Sequence, residues 1–218
     1  MTPQQIEDAA RRKYNSYSSS FYSSAEIWDL IYQAELEIAR ETRMLEGLTT
    51  TTTTASTQSY SFPTGVLELK RVEYDGQALT KIDFRDDDLL TFTNSNTTAE
   101  GTPSYYFVWN DTIYLRPIPD TSSKEIKIYY YKLPAIVTSA SQTLEVPNLF
   151  HMSIADYVTA ELAQKDGNNQ VAQLYFDKWY NKHLPAMIKW SRRRRSSDQF
   201  AVVKDADTIG SGGIVGVL

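Results

Sequence analysis

The chain contains no cysteine, which rules out a disulfide framework and any thiolate metal site and suits a reducing cytoplasm. It has only two histidines, His151 and His183, and nothing in their spacing brings them together. No apolar run approaches the length of a membrane span, and the polar, Gln-rich start does not read as a signal peptide. HExxH, GxSxG and phosphate-binding glycine loops are missing. The net charge of −5 argues against a general nucleic-acid coat but leaves room for a local basic patch. What remains, 218 residues at 41% apolar and 22% charged, is enough for one large or two small domains with a core.

The clearest pattern lies between Ser23 and Gly47. Ser23 and Glu26 form an S-x-x-E capping box, and Tyr22 and Ile27 occupy the staple positions around it. Ile27, Leu30, Ile31, Ala34, Ile38, Thr42 and Leu45 then recur at helical steps, with Gly47 as the stop. Glu35, Glu37, Arg40, Glu41 and Arg43 are expected on the solvent side. A shorter helix precedes it: Thr2 caps, Pro3 opens, Gln5 closes a second capping box, and Ile6, Ala9, Ala10 and Lys13 form the inner face to about Tyr14. A serine-rich linker joins the two.

Residues 47–59, GLTTTTTTASTQS, read as a mobile loop, either a solvated connection or one that orders against a neighbouring subunit. From Tyr60 the period falls to two. Val66, Leu69, Val72 and Tyr74 lead to an Asp75-Gly76 turn, with a return over Ala78–Phe84. Ser104–Trp109 and Thr112–Arg116 flank Asn110-Asp111, Pro117 and Pro119 close that strand, and Glu125–Lys132 alternates with Ile126, Ile128 and Tyr130 on one face. A short strand near Thr143–Val146 completes an antiparallel sandwich or small barrel. Fifteen tyrosines, concentrated in this stretch, suit half-buried pleated faces. Helix returns after Pro147, with Asn148 as cap and Phe150, Ile154, Tyr157, Val158, Glu161 and Leu162 as its stripe. A DGNN turn reverses the chain into a helix with Val171, Leu174, Tyr175, Lys178 and Trp179 facing in, which Pro185 should kink or break.

The fold class expected is therefore α+β. A helical domain built from both chain ends carries an inserted antiparallel β-sandwich or barrel-like domain and an extended C-terminal arm. The boundaries are 1–58 (N-terminal helices and Thr-rich loop), 59–146 (β-domain), 147–195 (helical hairpin) and 196–218 (arm).

Catalysis and metal binding find little support. Asp86-Asp87-Asp88 lacks the alternating spacing of a calcium loop and reads as solvated, and no carboxylate pair forms an acid–base dyad. No cofactor is expected. Arg192, Arg193, Arg194 and Arg195 are candidates for contact with DNA phosphates, with acids of a neighbouring subunit, or with the negative end of their own helix. The segment 196–218 is too apolar for an ordinary solvated tail and too glycine-rich for a helix. It reads as an arm that orders on a partner by adding an extended strand, or else as a frayed terminus.

The segments SSAEIWDLIYQAELEIARET, FPTGVLELKRVEYDGQAL, GTPSYYFVWNDTIYLRPIPD, IKIYYYKLPAIVT and LEVPNLFHMSIADYVTAELAQKDGNNQVAQLYFDKW, in this order and spacing, carry a resemblance. Together they resemble the head-to-tail adaptor (head-completion or connector) proteins of tailed bacteriophages, which are similar to podovirus tail accessory factors. The likeness spans most of residues 4 to 190. It implies a virion protein at the head–tail interface, assembled in the host cytoplasm. Some relatives are linked to a wall-degrading activity, but no carboxylate pair here carries it over, and an enzyme is not expected. Such a protein forms a homo-oligomeric ring, usually of twelve subunits, beneath the portal protein. The ring meets a downstream tail or nozzle protein and passes DNA without sequence specificity; no membrane is involved. On that resemblance the arm residues Phe200, Val202, Val203, Ile209, Ile214, Val215, Val217 and Leu218 would dock on the portal. Two other readings of the sequence are a tail or baseplate component binding glycan or protein through its Tyr-rich strands, and a DNA-binding packaging protein using the arginine run.

Overall fold

The computed structural model describes residues 1–15, 21–85 and 99–195. The arm residues, Asp86-Asp87-Asp88 and the rest of 86–98 lie outside the described residues. The α+β expectation is met: the chain forms two compact units, one from Met1–Thr42 with the chain from Ile136 onward, the other from Arg43–Ala135.

The helical unit begins with α1 (Pro3–Tyr14), where the predicted capping box forms. Gln5 N donates to Thr2 Oγ1 at 3.3 Å and Thr2 N donates to Gln5 Oε1 at 3.0 Å. Ile6, Ala9 and Ala10 are buried as expected. α2 (Ser24–Thr42) takes its cap from Ser23 Oγ, which accepts from Glu26 N at 3.2 Å. It ends at Thr42 rather than Gly47. Arg43 turns left-handed at φ 49°, and Ser191 Oγ donates to the Thr42 carbonyl at 2.6 Å, satisfying one of the acceptors that every helix end leaves open.

The most fully buried helix is α3 (His151–Lys165), which packs against α1 and α2 and buries His151, Ser153, Ile154, Ala155, Tyr157, Val158, Thr159, Ala160, Leu162 and Ala163. The unit is thus organised around α3 more than around α2. Asn148 does not cap it; a 3-10 turn over Asn148–Phe150 leads in instead. Gly167, at φ 77°, reverses the chain into α4 (Asn169–Lys178), where Asn168 Oδ1 accepts from Val171 N at 3.4 Å. The inner face predicted for α4 needs correction: Leu174 is 54% exposed, whereas Ala172 is buried.

Trp179–His183 form a π-helical turn that runs into α5 (Leu184–Arg195). Pro185, which lacks an N–H and crowds the preceding turn, is accommodated by this wider winding without a break. The same turn brings Trp179 wholly inside.

In the β-unit, β1 (Glu46–Thr52), β3 (Val66–Tyr74), β4 (Gln77–Ala78) and β10 (Glu125–Lys132) make one sheet in the order β1-β10-β3-β4. β2 (Ser59–Ser61), β5 (Thr80–Lys81), β7 (Tyr105–Trp109) and β8 (Thr112–Arg116) make another, in the order β2-β8-β7-β5. β6 (Glu100–Gly101) pairs with β9 (Ile118–Pro119). Val72, Tyr74, Ile126, Ile128 and Tyr130 from the first sheet share one core with Tyr106, Ile113 and Leu115 from the second. Both predicted hairpin turns form, with Asp75, Gly76, Asn110 and Asp111 all at positive φ. After Ala78 the chain leaves the first sheet, and β5 joins the second in parallel to β7. Thr143–Val146 is not a strand.

The threonine tract is the main correction: its first part, Gly47–Thr52, lies in strand β1 and pairs with β10, while residues 53–58 connect β1 to β2 without strand pairing. Threonine is a good strand former once a partner is available, and that partner lies far away in sequence. Gly47 is therefore a strand residue, lying under the Tyr130 ring. A Cβ there would come within 2.6 Å of the ring carbons Cε2 and Cζ. Gly47→Val is expected to lower stability by about 1–3 kcal/mol, as overpacking does. Urea unfolding would measure it, and Tyr130→Leu in the same chain should recover part of the loss.

Candidate functional site

α5 carries the charge feature singled out in the sequence. From Leu184 to Arg195 it has no acidic residue, and Lys189, Arg192, Arg193 and Arg194 are exposed. The Arg194 guanidinium lies 5.1 Å from the Trp190 ring centroid, and Trp190 meets Phe150 edge-on at 5.3 Å. This stack gives the last turn a defined place against the 3-10 turn ahead of α3. Four cations at a helix C-terminus complement its negative end, and they also present a face suited to carboxylates or phosphates. Arg195 closes the helix; its side chain lies outside the described residues.

The helical unit also contains a Ser–His–Asp arrangement that sequence reasoning missed. Ser153 Oγ is 3.2 Å from His183 Nδ1, and His183 Nε2 is 2.9 Å from Asp156 Oδ2. Ser153 and Asp156 lie one turn apart on α3, and the antiparallel return through the π turn sets His183 beside them. That i, i+3 pair was the available signal, but nothing local placed His183. Asp156 is also gripped on its other oxygen by Lys13 Nζ at 2.6 Å. With both carboxylate oxygens engaged, the cluster ties α1, α3 and the π turn together as a polar clamp. Asp156→Ala is expected to lower stability by about 1–3 kcal/mol, because it leaves Lys13 and His183 half-buried without their acceptor. Ser153→Ala should cost under about 1 kcal/mol; thermal melting of both variants checks the ranking.

A third polar group joins α2 and α3. Glu37 Oε2 accepts from Trp179 Nε1 at 2.9 Å. Burial raises the pKa of Glu161; Tyr157 pulls it back in part, and the nearby Glu37 charge adds to the rise. Glu161 borders a pocket of about 300 Å³ with Glu26, Leu30, Leu162, Gln164 and Lys165. Lys165 Nζ spans that pocket to Glu26 Oε1 and Oε2 at 2.6 and 2.7 Å. Among the described residues no three His, Asp or Glu side chains gather as a metal site, and no helix is long and apolar enough to cross a membrane.

On the β-unit, Tyr105, Phe107 and Trp109 alternate on the face of β7 that points away from the shared core. Phe107 stacks on Tyr114 of β8 at 4.8 Å, and Phe84 stacks on Trp109 at 4.9 Å. Trp109 is 57% exposed and Phe84 43%, so one end of this aromatic row is open to solvent. Tyr-rich strands were legible in the sequence; the outward row was not, because Tyr106 in the same strand faces the core.

A family model described as SU10 adaptor protein matches residues 1–203. No curated protein matches the chain at a significant level.

Proposed function

Because the chain belongs to the SU10 adaptor protein family, a family of structural phage adaptors, we propose that it forms the ring joining the portal vertex of a phage head to the tail. In this reading about a dozen copies assemble beneath the portal protein, extend the DNA channel and receive a downstream tail or nozzle protein. The observation that carries the reading is a family match running through both compact units and the whole of α5. A repeated head-to-tail contact makes assembly cooperative once the ring closes.

The arm, with Phe200, Val202, Val203, Ile209, Ile214, Val215, Val217 and Leu218, is proposed as the portal-docking element. The α5 cations serve either the channel DNA, without sequence specificity, or a neighbouring subunit. Changing Arg192, Arg193, Arg194 and Arg195 to Ser is expected to reduce collar yield or genome retention. Particles unaltered in both would reduce the run to helix-end complementation. The deciding experiment mixes purified chain with portal rings of its own phage and images the product by electron microscopy. A symmetric collar under each ring supports the proposal. A portal that binds its other partners and gains no collar overturns it.

The open aromatic row of β7 favours one second reading, a tail or baseplate component that stacks sugars or a protein on Trp109 and Phe84. Binding of the isolated chain to host envelope material instead of portal rings would select it.

A further inference from the structure

The edges of the two sheets differ in a way that points to a partner. β4, β5 and β2, which end the sheets elsewhere, have two, two and three residues. β1 has seven and ends its sheet. It pairs with β10 without a register shift, whereas β10 against β3 shifts twice. From Leu48 to Thr52 it has no charge and no proline, and Leu48 is 53% exposed. Among the described residues its backbone hydrogen bonds run to β10, and its outer edge receives none. Proteins usually blunt such an edge by shortening it, bulging it, or placing lysine or proline on it. β1 uses none of these devices between Leu48 and Thr52. A long, regular, uncharged edge is a template for strand addition.

The geometry points to residues Phe200–Val203 of a second copy of this chain as the strand that β1 receives. This rests on the reading of the chain as a ring-forming adaptor, and it names the contact that would link neighbours. The 23 residues after α5 contain one five-residue run free of charge, glycine and proline, Gln199–Val203, and it holds Phe200, Val202 and Val203. Aromatic and β-branched residues are the ones that fit a pleated edge. The more distal Ile209–Leu218 is broken by Gly210, Gly212, Gly213 and Gly216, which weaken a strand. The family match also runs through Val203 and stops before the acidic and glycine-rich remainder. This narrows the portal-docking part of the arm: Phe200, Val202 and Val203 clasp the neighbouring subunit, and Ile209, Ile214, Val215, Val217 and Leu218 stay available for the portal. A contact of this kind, arm of one copy on edge of the next, is heterologous, the type that builds a ring when its rotation closes.

The cysteine-free sequence makes the test direct. Full-length Leu48→Cys, Thr50→Cys and Thr52→Cys chains, which cover the register, are each mixed with full-length Val202→Cys chain, assembled on portal rings and oxidised. The expected result is a reductant-sensitive dimer from at least one mixture, and none when Asn110→Cys replaces the β1 variant. Collars that form without any dimer overturn the strand pairing and leave the adaptor reading standing. A Thr50→Cys, Val202→Cys double variant that closes within one chain, giving a faster-migrating monomer and no dimers, overturns the second-copy assignment. Wild-type chain that forms no collar, with no dimer from the variants, overturns both.

Discussion

Removal of Ser196–Leu218 is expected to leave a folded chain that no longer joins portal-bearing heads. The cores of both units are built from residues before Ser196: the helical unit closes on Trp179 and Met187, both fully buried, and the β-unit on Val72, Ile113, Leu115 and Ile126. α5 is held from inside by Ser191 on the Thr42 carbonyl. Circular dichroism and the melting temperature should therefore match the intact chain. In the proposed role the arm acts in assembly. Ordering its backbone costs roughly 1–2 kcal/mol per residue, so contacts with a partner must offset that cost, and without the arm no such contacts form. The expected readout is complete loss of collars by electron microscopy. A shorter truncation that removes only Ile209–Leu218 should likewise lose collars on portal rings. Normal tail attachment by the longer truncation would sink the assignment of the arm.

Features encoded by neighbours in sequence were readable, and those encoded by distant partners were not. Thr2 with Gln5 and Ser23 with Glu26 form their caps within one turn, and Asp75-Gly76 and Asn110-Asp111 take the positive φ values that two-residue hairpins need. The strand at the start of the threonine tract was missed because the local composition is that of a solvated loop, whereas its pairing depends on Ile126, Ile128 and Tyr130, more than 70 residues on. The inner face of α4 was mis-set for a related reason. At about 100° per residue Leu174 lies roughly 140° round the helix from Trp179 and is exposed, whereas Ala172 shares the face of Trp179 and is buried. The apolar side chain of Leu174 pointed to the wrong face because only the fold shows that Trp179 is the buried anchor. The aromatic row on β7 and the Asp156–His183 clamp needed the fold itself. So did the burial of Glu35, which periodicity placed on the solvent side.

Glu35 should make the stability of the helical unit pH-dependent. Its side chain is 1% exposed, and Oε1 accepts from the backbone N–H groups of Glu145 and Val146, each at 3.1 Å. The carboxyl therefore pins the segment leading into α3 onto α2. Burial pushes its pKa from the ordinary 4.5 up to about 7; the two N–H groups pull the other way without cancelling it. Between those values the folded chain keeps a proton that the unfolded chain releases. Stability from this group is thus full below about pH 4.5, falls as pH rises to about 7, and is flat beyond. A shift of this size corresponds to about 3 kcal/mol across the window. His151, whose pKa burial lowers, contributes an opposite slope below its ordinary 6.5, so wild type alone would not isolate Glu35. Comparison with Glu35→Gln does: its amide oxygen can still accept both N–H groups, and it carries no charge. Urea unfolding from pH 4.5 to 8 should show the two chains near parity in acid and Glu35→Gln ahead by about 1–3 kcal/mol at pH 8. Glu35→Ala, which leaves two buried N–H groups without an acceptor, should be weaker than both by about 2–4 kcal/mol at pH 5. Parallel curves for wild type and Glu35→Gln would mean that Glu35 ionises as it does in the unfolded chain, and that the junction before α3 is held by its backbone hydrogen bonds without regard to charge.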